Sequence, residues 1–286
     1  FFRRMAHTMV GFHPERTMPK MAKQSLQAWY KKRQKPKIQN PGYKSVFLFC
    51  DEFTNYNDAE IGKKAILLLE ALGYEVLIPQ HVESGRTYLS KGLVKKAKEI
   101  ANRNIELLSG VISSETPLIG IEPSGILTFR DEYIDLANDT NYANAKALAA
   151  AAFTIEEFLA NEYKAGRIER TLFTTEAKNI LIHGHCYQKA LSSQQYISTF
   201  LEIPVNYKTS LIPSGCCGMA GGFGYEKEHY TISQQVGELV LFPAVRAAGK
   251  SDIIAASGTS CRHQVKDGTG KMALHPVEIL FDALLP

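Results

Sequence analysis

The chain has 286 residues, 45% of them apolar and 22% charged, with a net charge of +4. Such a length and composition fit one large or two modest globular domains, with enough buried surface to fold without disulfides or metals. No run of about 18 apolar residues occurs, which excludes a membrane-spanning helix, and Phe1-Phe2-Arg3-Arg4-Met5 lacks the apolar core of a signal peptide.

The chain opens on Phe rather than Met and is read as a piece of a longer polypeptide. Its first segment, residues 1–40, is a basic arm: up to residue 38 it carries ten Lys/Arg against Glu15 alone. The remainder is net acidic. A basic arm serves nucleic acid, an acidic membrane surface or another protein domain. Trp29, Tyr30 and the scattered Met favour packing, so the arm is expected to be a linker or a strap onto a missing domain, with no nucleic-acid partner. Peripheral contact with the inner face of a membrane stays open for an otherwise cytoplasmic chain.

From residue 41 one plan is followed twice. In the first copy, 41–140, Ser45-Val46-Phe47-Leu48-Phe49 reads as a strand, Ala59 to Leu72 as a helix stopped by Gly73, and Tyr74 to Pro79 as a strand. Glu83-Ser84-Gly85-Arg86 is a loop, 88–108 a helix, Pro117 to Ile121 a strand, and Glu122-Pro123-Ser124-Gly125 opens the next loop. The Ala-rich stretch 143–163 is strongly helical and makes 141–175 a helical connector. In the second copy, 176–286, strands are expected at 179–182, 205–212 and 252–256, with helices at 188–200, 229–248 and near 276–284. Short apolar strands alternating with helices predict an α/β fold of two similar lobes, each with a small, mainly parallel sheet flanked by helices. Loops at the carboxyl ends of parallel strands are where such folds place ligands.

Four of the five cysteines fall in such loops of the second copy: Cys186, the pair Cys216-Cys217, and Cys261. An odd cysteine count with an adjacent pair argues against a disulfide framework. The intervals of 29 and 43 residues mean that the fold must assemble the site. Thiolates suit iron–sulfur clusters, zinc or copper(I), and four thiolates match the usual count for a cluster. Adjacent cysteines point different ways, which suits a multi-iron object better than one tetrahedral zinc. Zinc, or a thiol nucleophile beside His185 or His263, remains the competing use.

The stretches Phe53-Thr54-Asn55-Tyr56, Gly85-Arg86-Thr87-Tyr88-Leu89-Ser90, Glu122-Pro123-Ser124, His183-Gly184-His185-Cys186, Cys216-Cys217-Gly218-Met219-Ala220-Gly221 and Ser260-Cys261-Arg262-His263-Gln264 resemble the cysteine-rich CCG domain. That domain is found in heterodisulfide reductases, in glycolate oxidase iron–sulfur subunits and at the C-terminus of FAD-linked D-2-hydroxy-acid dehydrogenases. The resemblance covers about residues 40–286. It implies a [4Fe-4S] cluster on Cys186, Cys216, Cys217 and Cys261. It also implies electrons arriving from FAD on a missing domain or partner, and an unidentified electron acceptor. The substrate oxidised upstream would be a D-2-hydroxy acid of the lactate, glycolate or 2-hydroxyglutarate type. Gly258 departs from the family pattern, standing where its last pair begins with cysteine.

In the first copy every ligand position has changed: Glu52 stands opposite Cys186, Glu83 opposite Cys216, Ser84 opposite Cys217 and Gly125 opposite Cys261. Cys50 lies two residues off register, so this copy is expected to hold no cluster. Glu52, Glu83 and Glu122 either bind a hard cation or, as favoured here, hydrogen-bond loop amides and Arg86. His183, His185, His229 and His263 crowd the second copy, either as hydrogen-bond donors to ligated sulfur or as packing and capping groups. Arg262, beside Cys261, is placed to offset cluster charge. The chain shows no GxGxxG fingerprint after a strand, so it is not expected to bind a flavin or nicotinamide by itself.

Overall fold

The computed structural model describes residues 11–34 and 44–285. The opening residues of the basic arm and its last few before the first strand lie outside them.

Each lobe holds one four-stranded, fully parallel sheet. In lobe one the strands are β1 (Lys44–Phe49), β2 (Tyr74–Leu77), β3 (Leu118–Gly120) and β4 (Ala152–Thr154), in the order β2-β1-β3-β4. In lobe two they are β5 (Lys178–His183), β6 (Tyr207–Leu211), β7 (Ile253–Ala256) and β8 (Ala273–Leu274), in the order β6-β5-β7-β8. The two orders are the same order, so the expected pair of similar α/β lobes is what the chain forms. Parallel pairing needs crossover connections, and helices supply them on both faces.

The short strands β4 and β8 complete the sheets and were not legible as strands. The helix expected over 143–163 is two helices, Tyr142–Ala151 and Ile155–Lys164, with β4 between them. The break has a local cause. Thr154 adopts an extended backbone, and its side-chain oxygen accepts a hydrogen bond from Glu157 N at 3.2 Å, which starts the second helix as an N-cap. The connector therefore supplies an edge strand to the first sheet. The long helices expected at 88–108, 188–200 and 229–248 are each broken in two, near Gly92, Ser192 and Val240.

The lobes share one hydrophobic core. Leu68, Leu69 and Ile155 of the first half bury against the same cluster as Phe200, Leu201 and Leu280 of the second. Helix Pro276–Phe281 packs on helix Ala59–Ala71, and helix Ile155–Lys164 packs on Gln195–Leu201. Each lobe thus covers part of the other, and the strand ends of both sheets meet at their junction.

The described part of the arm is a strap across both lobes. At its start Arg16 is fully buried in lobe two. Its guanidinium donates to Gly224 O (2.6 Å), Gln264 Oε1 (2.6 Å) and Ser233 Oγ (2.7 Å), with Asp267 at 3.7 Å. Further on, Leu26 is buried in the shared core, and Tyr30 OH donates to Val76 O in lobe one at 2.8 Å. No helix among the described residues is long and apolar enough to cross a membrane.

Candidate metal centre

Three strand ends of lobe two deliver the four cysteines. Cys186 is the first residue of helix Cys186–Leu191, three residues after β5. Cys216 and Cys217 lie in the loop after β6, and Cys261 in the first turn of helix Thr259–Thr269 after β7. The loop can make its turn because Gly218 takes φ +95°. A Cβ there would lie 2.3 Å from Ser233 O, so only glycine fits.

The fold brings all four thiols together, in an unbroken chain of contacts running Cys186, Cys216, Cys217, Cys261. Hydrogen bonds from Cys186 and Cys217, and one from Gly218 N at 3.3 Å, hold the Cys216 thiol far below its usual range. Contact with Cys217, then with His183, does the same for Cys261. Cys186 and Cys217 are pushed up as the donors to these two anions. His183, Cys217 and Cys261 also bring their ligand atoms within 4.8 Å of one another. Soft donors crowded this closely fit a thiolate-bound metal or cluster. Cys50 is buried apart from them in lobe one, and burial pushes its thiol up.

The neighbouring polar groups divide by role. His183 is buried and hydrogen-bonds Ser214 Oγ at 2.7 Å through Nδ1, leaving its other edge toward Cys261. His185 caps its helix, accepting from Tyr187 N at 3.2 Å, and its Nε2 lies 4.0 Å from Glu122. The His185 ring also explains Gly258: a Cβ there would sit 2.4 Å from His185 Cδ2 and 3.4 Å from Cys261 Sγ. Arg262 does not face the thiols. Its guanidinium donates to Ala256 O and Ser257 O, and to Asp58 Oδ2 of lobe one at 2.5 Å, so its charge is matched across the lobe junction. His263 bonds Tyr225 OH at 2.6 Å, and burial lowers its pKa. His229 stacks on Phe223 and bonds Glu226, away from the thiols.

Lobe one shows the same positions with other chemistry. Glu52 begins the helix after β1 as Cys186 does after β5, and its carboxylate accepts from Ser84 N (2.9 Å) and Ser84 Oγ (2.7 Å). Glu122 accepts from Ser124 Oγ (2.8 Å) and, across the junction, from Thr259 N (2.8 Å). Arg86 pairs with Glu132, not with Glu52, Glu83 or Glu122.

Two residues not singled out from the sequence belong to the site. Lys189 Nζ donates to Ser214 O (2.5 Å) and Gly215 O (2.9 Å), holding the Cys216 loop. Its position one helical turn after Cys186 is the signal that was available. Tyr187 OH bonds Glu132 of lobe one, and the Arg86 guanidinium lies 4.5 Å over its ring. Both lobes and the strap enclose a cavity of about 580 Å³, with all four cysteines in its wall.

No protein-family model matches the chain. It is 27% identical over 245 residues to D-2-hydroxyglutarate dehydrogenase of Escherichia coli, an overlap of 84% of this chain and 23% of that protein. It is 26% identical over 275 residues to a subunit of the anaerobic glycerol-3-phosphate dehydrogenase of Escherichia coli, covering 94% of this chain and 66% of the relative. With lactate utilization protein A of Bacillus licheniformis it shares 25% over 243 residues, 82% of this chain and 95% of that one. The chain therefore spans 23% of the dehydrogenase in the first of these comparisons. These relatives fit a cysteine-rich region of the CCG type.

Proposed function

We propose that this chain is the iron–sulfur electron-transfer module of a flavin-dependent oxidoreductase. The observation that carries the reading is the convergence of four thiols from three strand ends of one lobe. A [4Fe-4S] cluster would be held by Cys186, Cys216, Cys217 and Cys261, and would supply one-electron transfer. The rest is the work of the chain. His183, oriented by Ser214, presents a polar edge to Cys261. Lys189 ties down the Cys216 loop and sets a cation beside the thiolates, with burial lowering its pKa. The first turn of helix Thr259–Thr269 places Cys261 where the helix dipole favours a thiolate. Such outer groups tune a cluster's potential.

The names of the relatives support a dehydrogenase setting. 2-Hydroxyglutarate, lactate and glycerol 3-phosphate share a secondary alcohol, whose oxidation to a ketone releases two electrons. A two-electron flavin on another domain or subunit, feeding a one-electron carrier here, fits that chemistry. Within that class we propose a D-2-hydroxy acid as the substrate, because one of the three names contains one and a second names lactate, a 2-hydroxy acid.

The test is iron, sulfide and zinc content of the chain purified without oxygen, beside its visible spectrum. The expected result is about four irons and four sulfides per chain, lost in Cys216→Ser. Zinc bound without sulfide would instead make His183, Cys217 and Cys261 a zinc site. No iron after anaerobic reconstitution would remove the electron-transfer reading.

A further inference from the structure

The turn that follows Cys217 is held in a backbone conformation that side chains rarely adopt. Gly218, Ala220 and Gly221 all have positive φ, and among the described residues Ala220, at φ +42°, is the one non-glycine that does. A side chain in that region strains the backbone, and such strain persists only where the surroundings fix it. The turn bonds to itself through Gly224 N to Met219 O at 2.8 Å and Phe223 N to Ala220 O at 3.3 Å. The strap holds it from outside.

Arg16 reaches both ends of this turn. Its Nε donates to Gly224 O at 2.6 Å, at the far end. Its Nη1 donates to Gln264 Oε1 at 2.6 Å, and Gln264 Nε2 donates in turn to Cys217 O at 2.8 Å, at the near end. Ser233 closes the group: its Oγ accepts from Arg16 Nη2 at 2.7 Å, and its carbonyl accepts from Gln264 Nε2 at 3.0 Å. Arg16, Gln264 and Ser233 are all fully buried, so water does not compete for these bonds. Gln264 lies on helix Thr259–Thr269, which also carries Cys261. Asp267 of the same helix accepts from Thr17 N at 3.1 Å and lies 3.7 Å from Arg16. The strap therefore joins the loop of Cys217 to the helix of Cys261.

We propose that Arg16 is a positioning residue for the metal centre, fixing the Cys217 backbone through Gln264 and the end of the strained turn through Gly224. It touches no metal itself. The inference rests on the metal-binding part of the reading above. It makes the docked strap, which precedes both lobes in the chain, part of the centre: a chain with this contact broken holds its metal less firmly, although all four cysteines remain.

The experiment compares the parent chain with Gln264→Glu, Arg16→Met and the double variant. Gln264→Glu keeps an acceptor for Arg16 and puts an oxygen where the donor to Cys217 O stood. In one arm the metal-free chains are alkylated with iodoacetamide, and the rate at each cysteine is read by mass spectrometry. Each single variant should raise the Cys217 rate about tenfold, roughly the worth of one buried hydrogen bond. The double variant should raise it by less than the product of the two, because the residues act in one relay. Cys50, buried in lobe one, should keep its parent rate. In the other arm the chains are reconstituted without oxygen and given an iron chelator, and iron should leave each variant about tenfold faster than the parent. An unchanged Cys217 rate overturns the inference. So does an equal rise at Cys50, because Arg16 then only holds the fold. Faster alkylation with unchanged iron release overturns the role at the metal centre. A parent chain that takes up zinc and no iron removes the electron-transfer reading, and zinc release then decides this inference in the same way. A parent chain that takes up neither overturns both.

Discussion

The two lobes are built on one strand order, and they use the same three strand ends differently. In lobe two the residues there are thiols in mutual contact. In lobe one the residue matching Cys186 is Glu52, and the residue matching Cys217 is Ser84. The two still touch: the Glu52 carboxylate takes both the amide and the hydroxyl of Ser84. The positions that gather thiols in lobe two hold a loop clamp in lobe one. A backbone arrangement that brings donors together is therefore separable from the chemistry those donors perform.

The comparison can be broken most directly at the thiols. Cys217→Ser or Cys261→Ser is expected to abolish iron uptake, while Cys50→Ser in lobe one leaves it intact. Metal analysis after reconstitution decides, and iron retained in both lobe-two variants would end the contrast.

Next in size are the equivalent glycines. A Cβ at Gly218 would lie 2.3 Å from a backbone oxygen, whereas at Gly85 it would lie 3.2 Å from the Ile100 side chain, which can shift. Both have positive φ. Gly218→Ala should cost about 3 kcal/mol or more and Gly85→Ala roughly 1–2 kcal/mol, read from urea unfolding. Equal costs would mean that the cysteine loop is no more constrained than its counterpart.

The fourth strands give a third contrast. After β4 the buried acid Glu156 accepts from Ser257 Oγ at 2.5 Å, and it lies 4.0 Å from His275, which follows β8. Burial raises the Glu156 pKa from 4.5 to about 7, and burial holds His275 well below its ordinary value. The folded chain then keeps a proton on Glu156 that the unfolded chain releases above its ordinary pKa. The associated stability is fully present below about pH 4.5 and is lost as pH rises through 7, on the order of 3 kcal/mol in all. Glu156→Gln should remove that dependence, so the gap between parent and variant should widen in the variant's favour from pH 5 to pH 8. Parallel stability curves across that range would show that the acid does not titrate there.

The smallest effect is expected at the lobe-one clamp. Glu52→Ala removes two hydrogen bonds to Ser84 and should cost roughly 1–3 kcal/mol in a thermal melt, with iron content unchanged. Lost iron would mean that lobe one takes part in the metal centre after all.

Much of this was readable in the residues. Hydrophobic runs of strand length, alternating with helical stretches and punctuated by Gly73 and Gly85, carry the repeated α/β plan. The position of each of the four cysteines shortly after such a run places it at a strand end, and other residues at the corresponding positions of the first copy are visible in the same register. These are local properties, set by periodicity and by backbone permissiveness at glycine. Other features depended on partners far away in sequence. β4 and β8 are too short to carry a pattern and exist only because β3 and β7 offer them an edge. The strap is held by Arg16 reaching Ser233 and Gln264, and by Tyr30 reaching Val76. Arg262 turns from its neighbour Cys261 to Asp58, because a buried guanidinium must find a carboxylate and that carboxylate belongs to the other lobe. The residues themselves determined which side chains could bind metal. The tertiary structure decided which of their neighbours face them, because hydrogen bonds and charges pair by proximity in space, which adjacency along the chain does not report.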